Sequence, residues 1–407
     1  MKVQGLRQLE SVENPSIEFD EENLIEELST AAKILKNKAS WTKNVGITNK
    51  YEEKQRFLEE WDGKPDFQPE FKFKQIKYDK EKVLDVLNQC QEAAGKITAE
   101  ELERYGAETL NEKDFQEFFT QIFEQFTLFI ELGANIESFE DWHELCGQLW
   151  TMPSETEVER SKQEVKSIEK EDLEEKLTAD DLKQMFEAEF ERLGIEYEVE
   201  IRDVGGCFNI PEERKLIVAR GDGEERKFSR KEAEMLTVHE TFHSVRAYNG
   251  YMAGEKSGFP DILGVDTPFY DQTEEGGAIY REHRTEASYP NQRFDYHLKR
   301  IVAYEIHNCE NYQQDFQNIV ETAVEYGASP ARAFTLVARN REVLRHQIYQ
   351  TGYEEWEDKE EIWPLLIGKI NHEWAEKLKD EVEAGGMFQE PSVSEEQLFE
   401  FSFKDQN

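Results

Sequence analysis

The sequence KEAEMLTVHETFHSVRAYNG, which runs from Lys231 to Gly250, contains the pattern H-E-x-x-H. Residues four apart lie one turn from each other on the same face of a helix, so His239 and His243 can bind one tetrahedral zinc ion. Glu240 follows the first histidine, which puts its carboxylate beside the open position of the metal. There it can take a proton from a bound water and pass it to a leaving amine. The stretch therefore predicts a helix that carries a zinc-dependent peptidase site.

A third metal ligand is expected from DQTEEGGAIY, the segment from Asp271 to Tyr280. Thr273 is a suitable N-cap for a helix, and it puts the acidic residues that follow into the first turn. The small residues at 276–278 would let this helix approach the H-E-x-x-H helix closely. Two histidines and one glutamate leave a fourth position for water on a catalytic zinc ion. We choose Glu275 as that glutamate.

The residues leave several of these assignments open. The two histidines could be satisfied polar groups of a core helix. Acidic residues are also common in a first turn, because they complement the helix dipole. The rival third ligands are Glu274, Asp271 and His283, of which the last lies about two helical turns beyond Glu275.

Three further residues are predicted to contact the substrate. Arg246 lies three residues past His243 and faces roughly the same side of the helix. Its guanidinium could hold a substrate carboxylate or, alternatively, pair with an acid behind the ligands. Tyr280 and Tyr349 could line the pocket or donate to the tetrahedral intermediate, although buried tyrosines more often bond to backbone.

These motifs resemble those of a known metallopeptidase family. It includes the microtubule-associated tyrosine carboxypeptidases and bacterial proteins named for a Q-E-G-L-A motif, long catalogued as a domain of unknown function. The resemblance runs from Gln68 to Asn371 and is that of an archaeal or bacterial member. The matching segments are LTVHETFHSVRAYNG (236–250) and TEEGGAIY (273–280), with weaker matches at LWTMP (149–153), YQTG (349–352) and LLIGKI (365–370).

The resemblance implies a role for each residue of the site. His239 and His243 would bind zinc, Glu240 would be the general base, and Glu275 would be the third ligand. The family usually has three residues between its glutamate and second histidine, where this chain has two, and Q-E-G-L-A becomes E-E-G-G-A here. The shorter spacing suits an undistorted helix.

Hydrophobic periodicity predicts a mainly α protein with a small β-sheet, of the α+β class. A wide apolar stripe between Phe115 and Leu132 indicates a core helix, and Tyr197–Ile201 with Leu216–Val218 indicates a small strand pair. The resemblance implies a zincin-like metallopeptidase core with helical N-terminal and C-terminal parts. We expect the division to be an N-terminal helical extension (1–67), a helical subdomain (68–153), a charged linker (154–176), a zincin-like catalytic domain (177–385) and an acidic C-terminal tail (386–407).

The formal net charge of −40 argues against two classes of partner. Such a surface repels phosphate backbones and anionic lipids, so we expect neither nucleic acid nor a membrane. It is typical either of adaptation to high salt, as in a halophile, or of an acidic cytosolic protein. The four cysteines form no C-x-x-C pair, and the sequence contains no signal peptide or long apolar stretch, so a reducing cytoplasm is expected.

The sequence thus predicts a zinc metallopeptidase, with zinc-activated water as the nucleophile. The resemblance points to a metallocarboxypeptidase, whose substrate is the C-terminus of a peptide or protein. The alternative is a catalytically silent relative that acts as a zinc-stabilised binding or scaffold protein. A third possibility is an aminopeptidase or oligopeptidase, because acidic residues that could bind an amine are abundant.

Overall fold

The structure is a computed structural model that describes residues 19–39, 45–61, 67–221, 225–267 and 270–399. Every feature of the fold below belongs to these residues. The outer ends of the predicted N-terminal extension and of the predicted acidic tail, residues 1–18 and 400–407, lie outside them.

The N-terminal part of the molecule is helical. Helix α5 (Glu112–Ala134) lies at its centre, because the predicted apolar stripe is buried against neighbouring helices. A capping box of Asn111 and Asp114 fixes the start of this helix. The helices of this part are α1 (Leu24–Ala39), α2 (Lys50–Glu60), α3 (Lys80–Ala94), α4 (Ala99–Tyr105), α5 (Glu112–Ala134) and α6 (Phe139–Leu149).

Helix α7 (Glu155–Ser167) occupies most of the segment that was expected to be a charged linker. Its Val158, Ser161 and Val165 are buried, and they face helix α11 (Pro290–Asn308). Three small or apolar residues at helical spacing are enough to bury one face. The segment predicted as a charged linker therefore contains a helix with one buried face.

Two small sheets follow along the chain. Strands β1 (Glu175–Leu177) and β5 (Phe228–Ser229) form an antiparallel pair. The other sheet has the order β2-β4-β3, in which β2 (Glu198–Arg202) runs parallel to β4 (Lys215–Ala219) and β3 (Phe208–Ile210) is antiparallel to β4. The predicted strand pair is confirmed, and β3 is an edge strand that the sequence pattern did not reveal.

The remaining helices build the part that holds the candidate ligands. With the small sheets, they confirm the mainly helical α+β class. None of the described helices is long and apolar enough to cross a membrane. These helices are α8 (Ala179–Leu193), α9 (Arg230–Ala253), α10 (Asp271–Arg284), α11, α12 (Tyr312–Glu325), α13 (Pro330–Glu342), α14 (Ile348–Glu357), α15 (His372–Glu383) and α16 (Glu395–Phe399).

Helix α10 packs closely on both α9 and α14. A Cβ on Gly277 would come within 2.4 Å of the Phe242 ring on α9, so the predicted close approach to the H-E-x-x-H helix is confirmed at this glycine. A Cβ on Gly276 would instead lie 2.1 Å from the backbone of Gly352 on α14. The helix also begins at Asp271, so Thr273 is inside its first turn and is not its N-cap.

Residues 386–399, the described part of the predicted acidic tail, are packed against the body of the molecule. Met387, Phe388, Val393 and Leu398 are buried. The backbone N–H of Val393 donates to the side-chain oxygen of Asn249 on α9 at 2.9 Å. This segment therefore contributes to the core, which a free tail would not do.

Candidate metal centre

The candidate metal ligands come from two helices that cross. Helix α9 places His239 and His243 one turn apart, and α10 brings Glu275 to them. The Oε2 atom of Glu275 lies 3.4 Å from His239 Nε2 and 3.9 Å from His243 Nε2. Ligand atoms bound tetrahedrally at about 2.1 Å from a zinc ion lie roughly 3.4 Å from one another. The first distance equals this spacing and the second is about 0.5 Å longer, and all three ligand atoms lie within 4.8 Å of one another, so the three side chains could hold such an ion.

A buried carboxylate fixes the orientation of the first histidine. The Nδ1 of His239 donates to Glu282 Oε1 at 2.7 Å, because a carboxylate oxygen can only accept. The hydroxyl of Tyr296 donates to the same oxygen at 2.8 Å, and Glu282 is completely buried. This arrangement leaves Nε2 of His239 unprotonated when a metal is bound, and turns it toward Glu275.

A second carboxylate holds His243 in the same way. The Nδ1 of His243 lies 2.9 Å from Glu274 Oε1, which also accepts from Lys369 Nζ at 2.9 Å. Burial raises the pKa of Glu274, but the charges of Lys369 and Arg246 outweigh it and hold that pKa well below its usual range. Glu274, a rival third ligand in the sequence, therefore lies behind His243 and supports it.

Arg246 is fully buried. Its guanidinium donates to the backbone oxygens of Leu365 and Ile370, at 3.0 and 2.7 Å, and pairs with Glu274. Of the two roles that the sequence left open for this residue, the structure shows pairing with an acid. Its N–H groups are used within the protein, so it is poorly placed to hold a substrate.

The third ligand has its own supporting residues. Arg345, which lies just before α14, donates from Nη2 to Glu275 Oε1 at 3.1 Å and from Nη1 to Asp271 Oδ2 at 2.7 Å. Burial opposes the charge of Glu275, but hydrogen bonding from His239 and the charges of His243 and Arg345 hold its pKa well below the usual range. Asp271, another rival ligand, faces Arg345 instead of the two histidines.

Glu240 lies beside the ligands, as the motif predicts, and strand β3 holds it in place. Asn209 donates from Nδ2 to Glu240 Oε2 at 3.1 Å and also to the backbone oxygen of Glu240 at 3.1 Å. The hydroxyl of Ser244 donates in turn to Asn209 Oδ1. Burial raises the pKa of the Glu240 carboxyl above its ordinary value, although the two histidines and Asn209 oppose this shift. A raised pKa suits a carboxylate that accepts a proton from water near neutral pH.

The structure brings one of the two predicted tyrosines to the site. Tyr349 stacks on Tyr296 with ring centroids 5.4 Å apart and hydrogen-bonds to Arg345. Its pKa is raised by burial and by the negative charges of Glu275 and Glu240, so its hydroxyl stays protonated.

Tyr280 and His283 lie on other faces of α10. Tyr280 packs against Trp356 and Phe399, and its hydroxyl accepts from Arg284 at 3.2 Å. His283, the remaining rival ligand, stacks on Tyr353 with ring centroids 4.6 Å apart. In the described part of the chain, the group of side chains spaced to hold a metal is His239, His243 and Glu275.

The chain is similar to one protein family over most of its length. The model of a family described as microtubule-associated tyrosine carboxypeptidase matches residues 55–399. The match begins earlier and ends later than the motifs that carry the resemblance in the sequence. No curated protein and no solved structure matches the chain significantly.

Proposed function

Since the chain belongs to the microtubule-associated tyrosine carboxypeptidase family, we propose that it is a zinc-dependent carboxypeptidase that acts on the C-terminus of a peptide or protein. Membership of the family implies carboxypeptidase-type proteolysis. The observation that supports the metal dependence is the convergence of His239, His243 and Glu275 beside Glu240.

The donor set suits zinc better than the harder divalent ions. Imidazole nitrogens favour zinc, whereas magnesium and calcium prefer sites made of oxygen ligands. Two histidines and one glutamate are a donor set of catalytic zinc sites, which keep one position open. A zinc ion held there would polarise the scissile carbonyl and lower the pKa of a water molecule.

The chain's own residues supply the proton transfers and the orientation. Glu240 accepts a proton from the attacking water and donates it to the leaving amine, and Asn209 holds its carboxylate toward the ligands. Tyr349 keeps its proton and lies beside Glu275, so its hydroxyl can donate to the oxygen that becomes negative during attack. We also propose a zincin-like core. Strands pack on the H-E-x-x-H helix α9, and the neighbouring helix α10 supplies the third ligand, which is the arrangement expected of such a core.

The terminal carboxylate of a substrate requires a cation near Tyr349. Arg246 is used elsewhere, so we assign this role to Lys299 on α11. Its ammonium lies 4.4 Å from the centroid of the Tyr349 ring. Lys299 pairs with Asp295, which also pairs with Arg332. One carboxylate therefore neutralises only one of these two cations, and the group keeps a net positive charge that can attract a substrate carboxylate.

The charge of the chain bears on the substrate class. A formal net charge of −40 repels acidic peptides and attracts basic ones, particularly at low ionic strength. We therefore propose peptides and proteins whose C-terminal segments are neutral or basic as substrates.

A pair of peptides that differ only at their C-terminus tests this proposal. The zinc-loaded chain is incubated with a basic peptide that ends in a free carboxylate and with its C-terminal amide, and the products are identified by mass spectrometry. We expect loss of single C-terminal residues from the free acid and little reaction of the amide. Internal or N-terminal cleavage would indicate another peptidase class, and no cleavage by any zinc-loaded preparation would indicate a silent relative.

Glu240→Gln is the matched variant for the same assay. It keeps the size and the hydrogen-bonding partner of the side chain but cannot accept the proton. We expect it to retain zinc and to lose at least about a hundredfold in kcat. Unchanged turnover would remove Glu240 from the reaction.

A further inference from the structure

The two oxygens of Glu275 have different partners. Oε2 faces the Nε2 atoms of His239 and His243, at 3.4 and 3.9 Å, whereas Oε1 accepts from Arg345 Nη2 at 3.1 Å. A carboxylate with two unbonded oxygens can bind a metal through one or through both. Because Arg345 engages Oε1, Glu275 is left with one oxygen for the ligand position.

Asp271 controls the direction of the arginine. It lies four residues before Glu275 on α10, so both carboxylates are on one face, one turn apart. The guanidinium spans this distance and gives one nitrogen to each acid, with Nη1 at 2.7 Å from Asp271 Oδ2. Without that tie, a planar guanidinium would favour the bidentate arrangement with Glu275 and compete for Oε2.

The surroundings make this arrangement rigid. The side chains of Arg345 and Glu275 are only 13% and 14% exposed, so water screens their attraction weakly. A lysine could not replace the arginine, because one ammonium does not present two nitrogens in a fixed plane. Arg345 is also fixed to the start of α14, the helix that packs against α10.

From this geometry we infer that Arg345, tied back by Asp271, is a positioning residue that makes Glu275 bind the metal through Oε2 alone. The metal then has three protein ligand atoms and an open position for water and substrate. The inference rests on the proposed metal site. It assigns to Arg345 and Asp271 the control of how many oxygen atoms Glu275 offers to the metal. Arg345 is therefore distinct from the residue that binds the substrate carboxylate.

Cobalt(II) is a suitable probe, because its visible absorption reports the coordination number, whereas zinc is spectroscopically silent. The cobalt-loaded wild type is compared with Arg345→Met and with Arg339→Met, which removes an exposed arginine of α13. We expect the four-coordinate spectrum in the wild type and in Arg339→Met. In Arg345→Met we expect a five-coordinate spectrum, because both oxygens of Glu275 become available, together with a fall in kcat of at least about tenfold.

Asp271→Asn provides a second, milder variant. It keeps every ligand and the arginine but removes the charge that holds Nη1. We expect zinc affinity about tenfold weaker than that of the wild type, measured by competition with a chelator. Arg345→Lys should give the same direction of change in affinity, since it cannot bridge the two acids.

The outcomes separate this inference from the proposed function. If Arg345→Met and Asp271→Asn lower the melting temperature but leave the cobalt spectrum and zinc affinity as in Arg339→Met, the inference is wrong and the pair is merely structural. If the wild type binds metal but cleaves no peptide, the proposed function fails while the spectra still decide the inference. A wild type that binds neither zinc nor cobalt would overturn both.

Discussion

At the scale of single residues, each candidate ligand of the site is oriented by a buried partner. Glu282 holds His239, Glu274 holds His243, and Arg345 holds Glu275. The carboxylates of Glu282 and Glu274 fix the orientation of the two imidazole rings, whereas the positive charge of Arg345 helps to lower the pKa of Glu275. They also determine how a metal competes with protons for the site.

The pH dependence of zinc binding follows from His239. Burial opposes its charge, but the carboxylates of Glu275 and Glu282 overcome this and raise its pKa to about 10. A metal must displace this proton, so affinity rises as pH increases until the pKa is reached. We expect the zinc dissociation constant to fall about tenfold per pH unit between pH 7 and 8.5.

A chelator-buffered zinc titration over this range checks the prediction. An imidazole with the ordinary pKa of 6.5 would hold almost no proton here, and its dissociation constant would be nearly constant. A flat curve would therefore contradict the strong coupling of His239 to its two carboxylates. Glu282→Gln should weaken the slope, because it removes one of them.

The sequence identified some of these residues better than others. The spacing of His239 and His243 is a local property of a helix, so it needed no knowledge of the fold. Glu282 lies seven residues after Glu275, two turns along the same face of α10. This spacing could have predicted that Glu282 lies close to the metal ligands. Asn209 comes from a distant strand, and no pattern in the sequence connects it to Glu240.

At the scale of elements, the site depends on how α10 is packed. Helix α10 touches α14 through Gly276 and Gly352, where backbone meets backbone. It is fixed further by Trp356, whose Nε1 donates to the Thr273 backbone oxygen at 2.8 Å. The position of Glu275 therefore also depends on the contacts that α10 makes with α14.

Gly352→Ala should disturb the metal site without touching a ligand. Its Cβ would lie 2.1 Å from the backbone oxygen of Gln272, so α10 has to shift. We expect a loss of about 1–3 kcal/mol in the free energy of unfolding and weaker zinc binding. Gly147→Ala is the matched control, since a Cβ at this position in the last turn of α6 meets nothing within 4 Å.

Denaturant unfolding and chelator competition on the two variants give the answer. The control should be neutral or slightly more stable, because alanine is the better helix former. Wild-type zinc affinity in Gly352→Ala would show that the α10–α14 contact does not position Glu275.

Helices and strands were predicted from periodicity, and the misses have physical causes. The charged composition of residues 154–176 predicts a linker, yet α7 forms there because a narrow apolar stripe is enough when another helix lies beside it. Strand β3 has only three residues, which is too short for an alternating pattern. The sequence could not decide between the two roles of Arg246. Helix α9 is buried around most of its circumference, so the face on which a residue lies does not indicate whether it contacts a substrate or another side chain.

At the scale of the whole molecule, Glu381 connects distant parts of the chain. This residue of α15 is completely buried. Its carboxylate accepts from the backbone N–H groups of Glu108, Thr109 and Leu110, and from that of Met387 in the C-terminal segment. It thereby joins the N-terminal helices to the C-terminal part.

Glu381→Gln should destabilise the fold in a pH-dependent way. Burial raises the pKa of this carboxyl, but the backbone donors outweigh burial and lower the pKa below its usual value. A depressed pKa in the folded state contributes stability above the unfolded-state pKa, and this stability is lost as pH falls through the folded-state value. We expect the variant to be about 1–3 kcal/mol less stable at pH 7.

The difference between wild type and variant is the quantity to measure, by urea unfolding at several pH values. It should shrink as the pH falls below about 4.5. Glu373→Gln, an exposed residue of the same helix, serves as the control and should be nearly neutral. An equal difference at pH 7 and at acid pH would contradict the role of the Glu381 charge.

Composition predicted the properties that depend on the chain as a whole. The mainly helical α+β class was predicted from periodicity and is confirmed. The packing of residues 386–399 could not be predicted, because Asn249 and Val393 meet across 144 positions of sequence. The division into domains stays a prediction, as does adaptation to high salt.

Zinc content of the purified chain tests the three-ligand centre most directly. Mass spectrometry gives the zinc content of the wild type and of three variants. His243→Ala and Glu275→Ala each remove one proposed ligand, and the control Glu373→Gln changes an exposed acid. We predict about one zinc per chain in the wild type and the control, and its loss in both ligand variants. A wild type that stays zinc-free in zinc-replete medium, or ligand variants that retain the metal, would contradict the assignment of His239, His243 and Glu275 as a metal site.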